Sequence, residues 1–163
     1  MKSLSSALLA LLLLAIPGAA RASTISFTGT FAADDDVQLF TFDLVTAGTV
    51  TITTFGYAGG TNGAGSTITA GGFDPDIAVF QGTGPSASLI GMNSDAGCGT
   101  ANADPTTGAC WDSQLVLTLL PAGTYTLALT QYANVALGGL LSDGFSQVGM
   151  GNFTGPMFVG AAG

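Results

Sequence analysis

The sequence contains no histidine and no glutamate, and its only basic side chains are Lys2 and Arg21. Each absence removes a class of chemistry. Without histidine there is no Ser-His-Asp or Cys-His pair. Two cysteines without histidine also make a poor zinc site. Both cations lie in a segment that reads as removable, which leaves the mature chain without lysine, arginine or histidine. That excludes a lysine Schiff base, and it excludes nucleic acid as a partner, because nothing neutralises phosphates. The missing glutamate rules out an EF-hand loop, whose last position is a bidentate Glu. An enzymatic role is not expected. A hydrolase built on an Asp pair would have no cationic or imidazole group to tune it.

Long apolar runs are also scarce. The one present, Leu8–Ile16, follows Lys2 and precedes Pro17-Gly18 and Ala20-Arg21-Ala22. This is the plan of a secretory signal peptide: a short positive start, an apolar core and a small-x-small cleavage pattern. The run is far short of the ~20 residues that span a bilayer. Cleavage is expected before Ser23, so residues 1–22 are the signal peptide and 23–163 a single domain. No membrane partner is expected after its removal, and the location is secreted, extracellular or periplasmic. In an oxidising compartment Cys98 and Cys110 are expected to pair.

What is present points to an all-β chain. Short runs rich in Thr, Val, Ile and Phe alternate with Gly-rich turns. Strands are expected at 25–31, 37–44, 49–55, 76–81, 88–92, 114–119 and 124–131. The alternation is clearest at Phe40, Phe42, Leu44 and at Leu115, Leu117, Leu119. Seven half-buried strands imply two packed antiparallel sheets. A weak repeat with an offset of 75 residues relates Ala47-Gly48-Thr49, Thr51 and Tyr57 to Ala122-Gly123-Thr124, Thr126 and Tyr132. It reads either as a duplicated hairpin or as the recurrence of a common turn. The Gly-rich linker 58–72 reads as flexible.

All ten acidic residues are aspartates. They must be solvated, bonded to backbone N–H or held by an external cation. An all-oxygen set suits Ca²⁺. The expected ligands are Asp74, Asp76, Asn93, Asp95 and Asp112, which the strand assignment brings to one end of the sheets. The competing reading is turn chemistry, since Asp and Asn bond their own backbone. Asp34-Asp35-Asp36 is read as a solvated loop. Trp111, Tyr57 and Tyr132 are read first as core aromatics; exposed, they would form a platform for stacking sugars.

Several segments together resemble the secreted bacterial proteins named for an FDP motif. They are Gly71-Gly72-Phe73-Asp74-Pro75, Cys98 through Asp104-Pro105 and Thr107-Gly108 to Cys110 and Asp112, Ala122-Gly123-Thr124-Tyr125-Thr126-Leu127, Thr130-Gln131-Tyr132 and Asp143-Gly144-Phe145. That family is similar in turn to the bacterial pre-peptidase C-terminal domain. The resemblance implies an antiparallel, jelly-roll-like β-sandwich, exported and non-catalytic, with Ca²⁺ near the residues matching Asp74 and Asp112. Many relatives carry a PEP-CTERM sorting signal. This sequence shows no Pro-Glu-Pro, no terminal hydrophobic helix and no basic tail, and it reads as ending before the last strands expected of relatives. The functional expectation is a module of the cell envelope or extracellular matrix, stabilised by calcium and one disulfide. The alternative is a module that binds extracellular polysaccharide.

Overall fold

The computed structural model describes residues 23–154; the expected signal peptide lies outside the described residues. Eight strands follow one another: β1 (Gln38–Leu44), β2 (Gly48–Thr53), β3 (Gly60–Thr61), β4 (Thr67–Ile68), β5 (Pro75–Gln81), β6 (Ser88–Asn93), β7 (Gln114–Leu120) and β8 (Gly123–Gln131). A four-stranded sheet has the order β1-β8-β5-β6, a second sheet pairs β2 with β7, and β3–β4 is a minimal hairpin. All pairings are antiparallel. The molecule is the expected all-β antiparallel sandwich.

Period-2 alternation explains the core. Phe42, Ile77, Val79, Tyr125 and Leu127 point from the large sheet toward Leu120, Val50, Ile52, Leu115 and Leu117 of the small one. Phe42 and Tyr125 are register partners, and their rings stack 5.4 Å apart. Such aromatic pairs contribute about 0.5–1.5 kcal/mol beyond their burial. The Tyr125 hydroxyl donates to the Pro121 carbonyl at 2.7 Å, so its burial leaves no polar atom unpaired. Residues of opposite parity, Ala78, Phe80 and Ala128, pack on the other face against Ala87 and Phe145. Strand β5 is therefore covered on both sides, which is why six of its seven residues are buried.

The 75-residue repeat is real in placement but is not a duplicated hairpin. β1 does not pair with β2, nor β7 with β8; β1 pairs with β8 and β2 with β7. Each Ala-Gly segment crosses from one sheet to the other, and the two crossings lie antiparallel. This nested pairing of outer and inner strands is jelly-roll-like. It also sends the chain after β2 and after β8 out at the same end, because Thr53 sits opposite Gln114 and Gln131 opposite Pro75.

Other expectations need correction. The 25–31 segment forms no strand; it lies along β1 through the Phe27–Phe40 stack and one side-chain bond from Gln38 to the Thr30 carbonyl. The linker 58–72 is built rather than loose. It holds β3–β4, whose turn is closed by Asn62 Oδ1 accepting from Ala64 and Ser66 N–H. At Gly72 a Cβ would collide with the Gly56 carbonyl oxygen, so close backbone approach demands glycine there. The Asp34–Asp36 run is not a solvated loop. Asp36 caps Ala32 and Ala33 N–H, Asp35 accepts from Gly149 N–H, and Asp34 accepts from Thr154. Asp34 and Asp35 thus tie the start of the domain to residues 149–154, while Asp36 closes the local turn.

Leu119 was expected in the core with Leu115 and Leu117, but it is 88% exposed and Leu120 is buried instead. The register slips between Gly48 and Val50, which inserts a bulge in β7 and reverses the alternation. Leu119 occupies the bulge with φ 57°, a left-handed conformation that costs a non-glycine residue about 1–2 kcal/mol. Leu119→Gly is therefore expected to stabilise by about 1 kcal/mol, since the exposed side chain contributes little packing. A thermal melt should show a gain of roughly 3–6 °C; a loss would mean the leucine is anchored after all.

Candidate functional site

Ser113 sits at the end of the sandwich where β5 and β7 begin and β2, β6 and β8 finish. It is fully buried, and its hydroxyl lies 2.6 Å from the Pro75 carbonyl, 2.9 Å from that of Asn93 and 2.7 Å from that of Ser94. One hydroxyl proton serves one acceptor well. The corner is therefore rich in oxygen and poor in donors.

Asp74 and Asp76 flank Pro75 at the head of β5 and are both more than nine-tenths buried. Oδ1 of Asp74 and both carboxylate oxygens of Asp76 have no hydrogen-bond partner. Burial pushes the Asp74 carboxyl up to about 7, aided by the negative charges of Asp95, Asp76 and Asp112. Burial also raises Asp76; the Ser94 hydroxyl and the Ala133 N–H pull the other way without completing hydrogen bonds. A gap of about 10 Å³ borders Asp76, lined also by Asn93, Ser94 and Thr130. That is close to the smallest space that holds one water-sized sphere. Opposite it, the Tyr132–Ala133 turn is held by Tyr132 N–H on the Asp74 carbonyl, and Ala133 has φ 68°.

The structure brings the five expected ligands to this one end but gives them different work. Asp112 is consumed internally. Its Oδ1 accepts from Thr54 Oγ1 and Tyr57 N–H, and its Oδ2 accepts from Ala58 N–H at 2.8 Å. Asn93 is also engaged: Oδ1 accepts from Gln114 N–H, and Nδ2 donates to the Asp95 carbonyl. Asp95 is exposed on the rim, its pKa raised by partial desolvation. Of these five, only Asp74 and Asp76 carry buried oxygens free of partners. Among the described residues, no three acidic or thiol side chains form a ready-made metal-ligating group. Most oxygens around a cation here would come from backbone and amide carbonyls. Ser113, Ser94 and Ala133 were not legible as site residues, because nothing in their spacing marks them.

A second cavity, of about 200 Å³, is lined by Asp74, Asp95, Trp111 and Tyr132. The expected Cys98–Cys110 disulfide is present, with Cα atoms 5.1 Å apart. Closing a loop this short stabilises by about 3 kcal/mol. Within the loop, Asp104 accepts from Thr106 and Thr107 N–H and from the Thr107 hydroxyl, and the Thr107 N–H chiefly holds its carboxyl below the usual range. The Thr107 proton being committed to Asp104, the Tyr57 hydroxyl donates to Thr107 at 3.0 Å. Tyr57 in turn packs its ring 4.7 Å from that of Trp111. The aromatic residues are thus not core. Trp111 and Tyr132 are 39% and 38% exposed, and the two repeat-related tyrosines, Tyr57 and Tyr132, both reach this end.

No family model, curated protein or solved structure matches this chain. Among the described residues, no helix is long and apolar enough to cross a membrane.

Proposed function

We propose that this chain is an exported, non-catalytic β-sandwich module of the cell envelope or extracellular matrix that binds Ca²⁺ at the end of its sandwich. The observation that carries the reading is the set of buried, partnerless oxygens on Asp74 and Asp76. A buried carboxylate without a partner is costly, and no cationic side chain occurs between residues 23 and 154 to relieve it. A hard divalent ion supplies the missing charge and accepts the mixture of oxygens on offer: Asp74, Asp76 and the crowded carbonyls around Ser113. Ca²⁺ takes 6–8 oxygens in adaptable geometry, and extracellular sites work at ~10⁻⁴–10⁻³ M. The FDP-motif resemblance and the disulfide point the same way.

Thermal melts of residues 23–163 in EDTA and in Ca²⁺ test the reading. At about ten times Kd the ion adds roughly 1.4 kcal/mol, a rise of about 4–8 °C. Mg²⁺ should do less, because it demands stricter geometry. Asp76→Asn should abolish the rise and melt higher than wild type in EDTA, since it removes an uncompensated buried charge. A midpoint unmoved by millimolar Ca²⁺ would overturn the proposal.

A further inference from the structure

The aromatic cleft beside the cation site has chemistry of its own. Trp111 and Tyr132, each about two-fifths exposed, line it together with Asp74 and Asp95. Exposed aromatics of this size would ordinarily be buried. Here they are held outward. Trp111 packs against the ring of Tyr57, which is fixed by its N–H on Asp112 and its hydroxyl on Thr107. Trp111 also follows Cys110 directly, so the disulfide anchors its backbone. Tyr132 is fixed by its N–H on the Asp74 carbonyl. The two aromatic residues are thus held in place by four separate restraints, and two carboxyl groups share the lining with them.

We propose that this cleft is a binding site for a neutral sugar ring of an extracellular glycan. The apolar C–H face of a pyranose packs on an aromatic face, while its hydroxyls are donors that match carboxylate acceptors. Asp95 and Asp74 present carboxyl oxygens that accept from such donors. The volume of about 200 Å³ falls below the ~300–1,000 Å³ of sites for drug-sized ligands, which fits one ring rather than an extended apolar molecule. Charge narrows the class further. The lining carries two acidic side chains and no base, so it repels uronates and phosphates and selects uncharged sugars. The proposal shares Asp74 with the calcium reading but does not rest on it, since the stacking and the Asp95 acceptor need no ion.

Trp111 is the single tryptophan of the chain, so its fluorescence reports this cleft alone. The probes are cellohexaose, maltohexaose, mannohexaose and polygalacturonate, each titrated to about 10 mM in EDTA and again in Ca²⁺. That range reports any affinity of ~1 mM or better. At least one neutral hexamer should shift the emission saturably, and polygalacturonate should not. By calorimetry, Tyr132→Ala and Asp95→Asn should each weaken binding at least tenfold without moving the melting midpoint by more than a few degrees. Asp76→Asn should leave sugar binding intact while removing the Ca²⁺ response, which separates the two readings. No saturable shift with any neutral hexamer, binding of polygalacturonate alone, or binding unchanged in both variants would overturn the proposal.

Discussion

Asp112→Ala is expected to cost about 3–5 kcal/mol and to lower the melting midpoint by roughly 10–20 °C. The carboxylate is 2% exposed and takes hydrogen bonds from Thr54, Tyr57 and Ala58. Bonds to an ionised acceptor contribute about 1.5–3 kcal/mol each, and donors left unpaired by truncation cost their full desolvation. The loss spreads further, because the Thr54 hydroxyl oxygen also accepts from Ser113 N–H at 2.8 Å. Against a total stability of about 5–15 kcal/mol this is a large fraction. Asp112→Asn should fall between wild type and alanine. The amide keeps one acceptor oxygen but turns an NH₂ toward either Ala58 or the Thr54–Tyr57 pair. Denaturant melts of the three proteins check the order; an alanine variant within about 2 °C of wild type would show that water replaces all three bonds.

In the absence of divalent ions, stability is expected to fall as pH rises from about 4 to 7.5, the reverse of most proteins. The folded state holds the Asp74 carboxyl at about 7 against an ordinary value of 3.8. Between those values the native state binds the proton and the unfolded state does not, so raising the pH favours unfolding. The stability linked to Asp74 is fully present below the unfolded pKa and is lost as pH rises through about 7. At 1.36 kcal/mol per unit the ceiling is about 4 kcal/mol. Asp76 and Asp95 are shifted in the same direction and add to the slope. Asp104 works oppositely: its lowered pKa contributes stability that is lost only as pH falls below the ordinary carboxylate range. The metal-free optimum should therefore lie near pH 4–5. Millimolar Ca²⁺ should flatten the fall toward neutral pH, because the ion replaces the proton. Urea unfolding at pH 4.5 and 7.5, with EDTA and with Ca²⁺, measures all four values. Greater metal-free stability at pH 7.5 would mean that Asp74 is solvated and ionised.

Much of the sheet was legible because half-buried strands impose period 2. Six of the seven expected segments are strands, within a residue or two at their ends. The failures have particular causes. Ile25–Phe31 has strand composition, but it is held by rings rather than by a ladder: Phe27 packs on Phe40 of β1 and Phe31 on Phe73. Leu119 fell to a bulge, and a bulge leaves no mark in an alternating run. The Ala-Gly repeat looked like two hairpins because local sequence reports a turn, not which sheet the chain enters next.

The candidate site was legible as a location. The positions of Asp74, Asp76, Asn93, Asp95 and Asp112 at strand ends were enough to gather them at one end. Their roles were not legible. Asp112 and Asp76 are the same side chain at similar burial, yet one accepts three hydrogen bonds and the other none. That difference depends on where Thr54, Tyr57 and Ala58 arrive, more than fifty residues away in sequence.

By itself, then, the sequence determined the fold class, the pairing of the cysteines and the absence of any side-chain counter-charge between residues 23 and 154. All three follow from local composition, alternation and count. Only the tertiary structure decided which carboxylates are satisfied and which aromatic residues are exposed. Both depend on backbone donors and rings delivered by distant segments, and no spacing along the chain encodes where those segments meet.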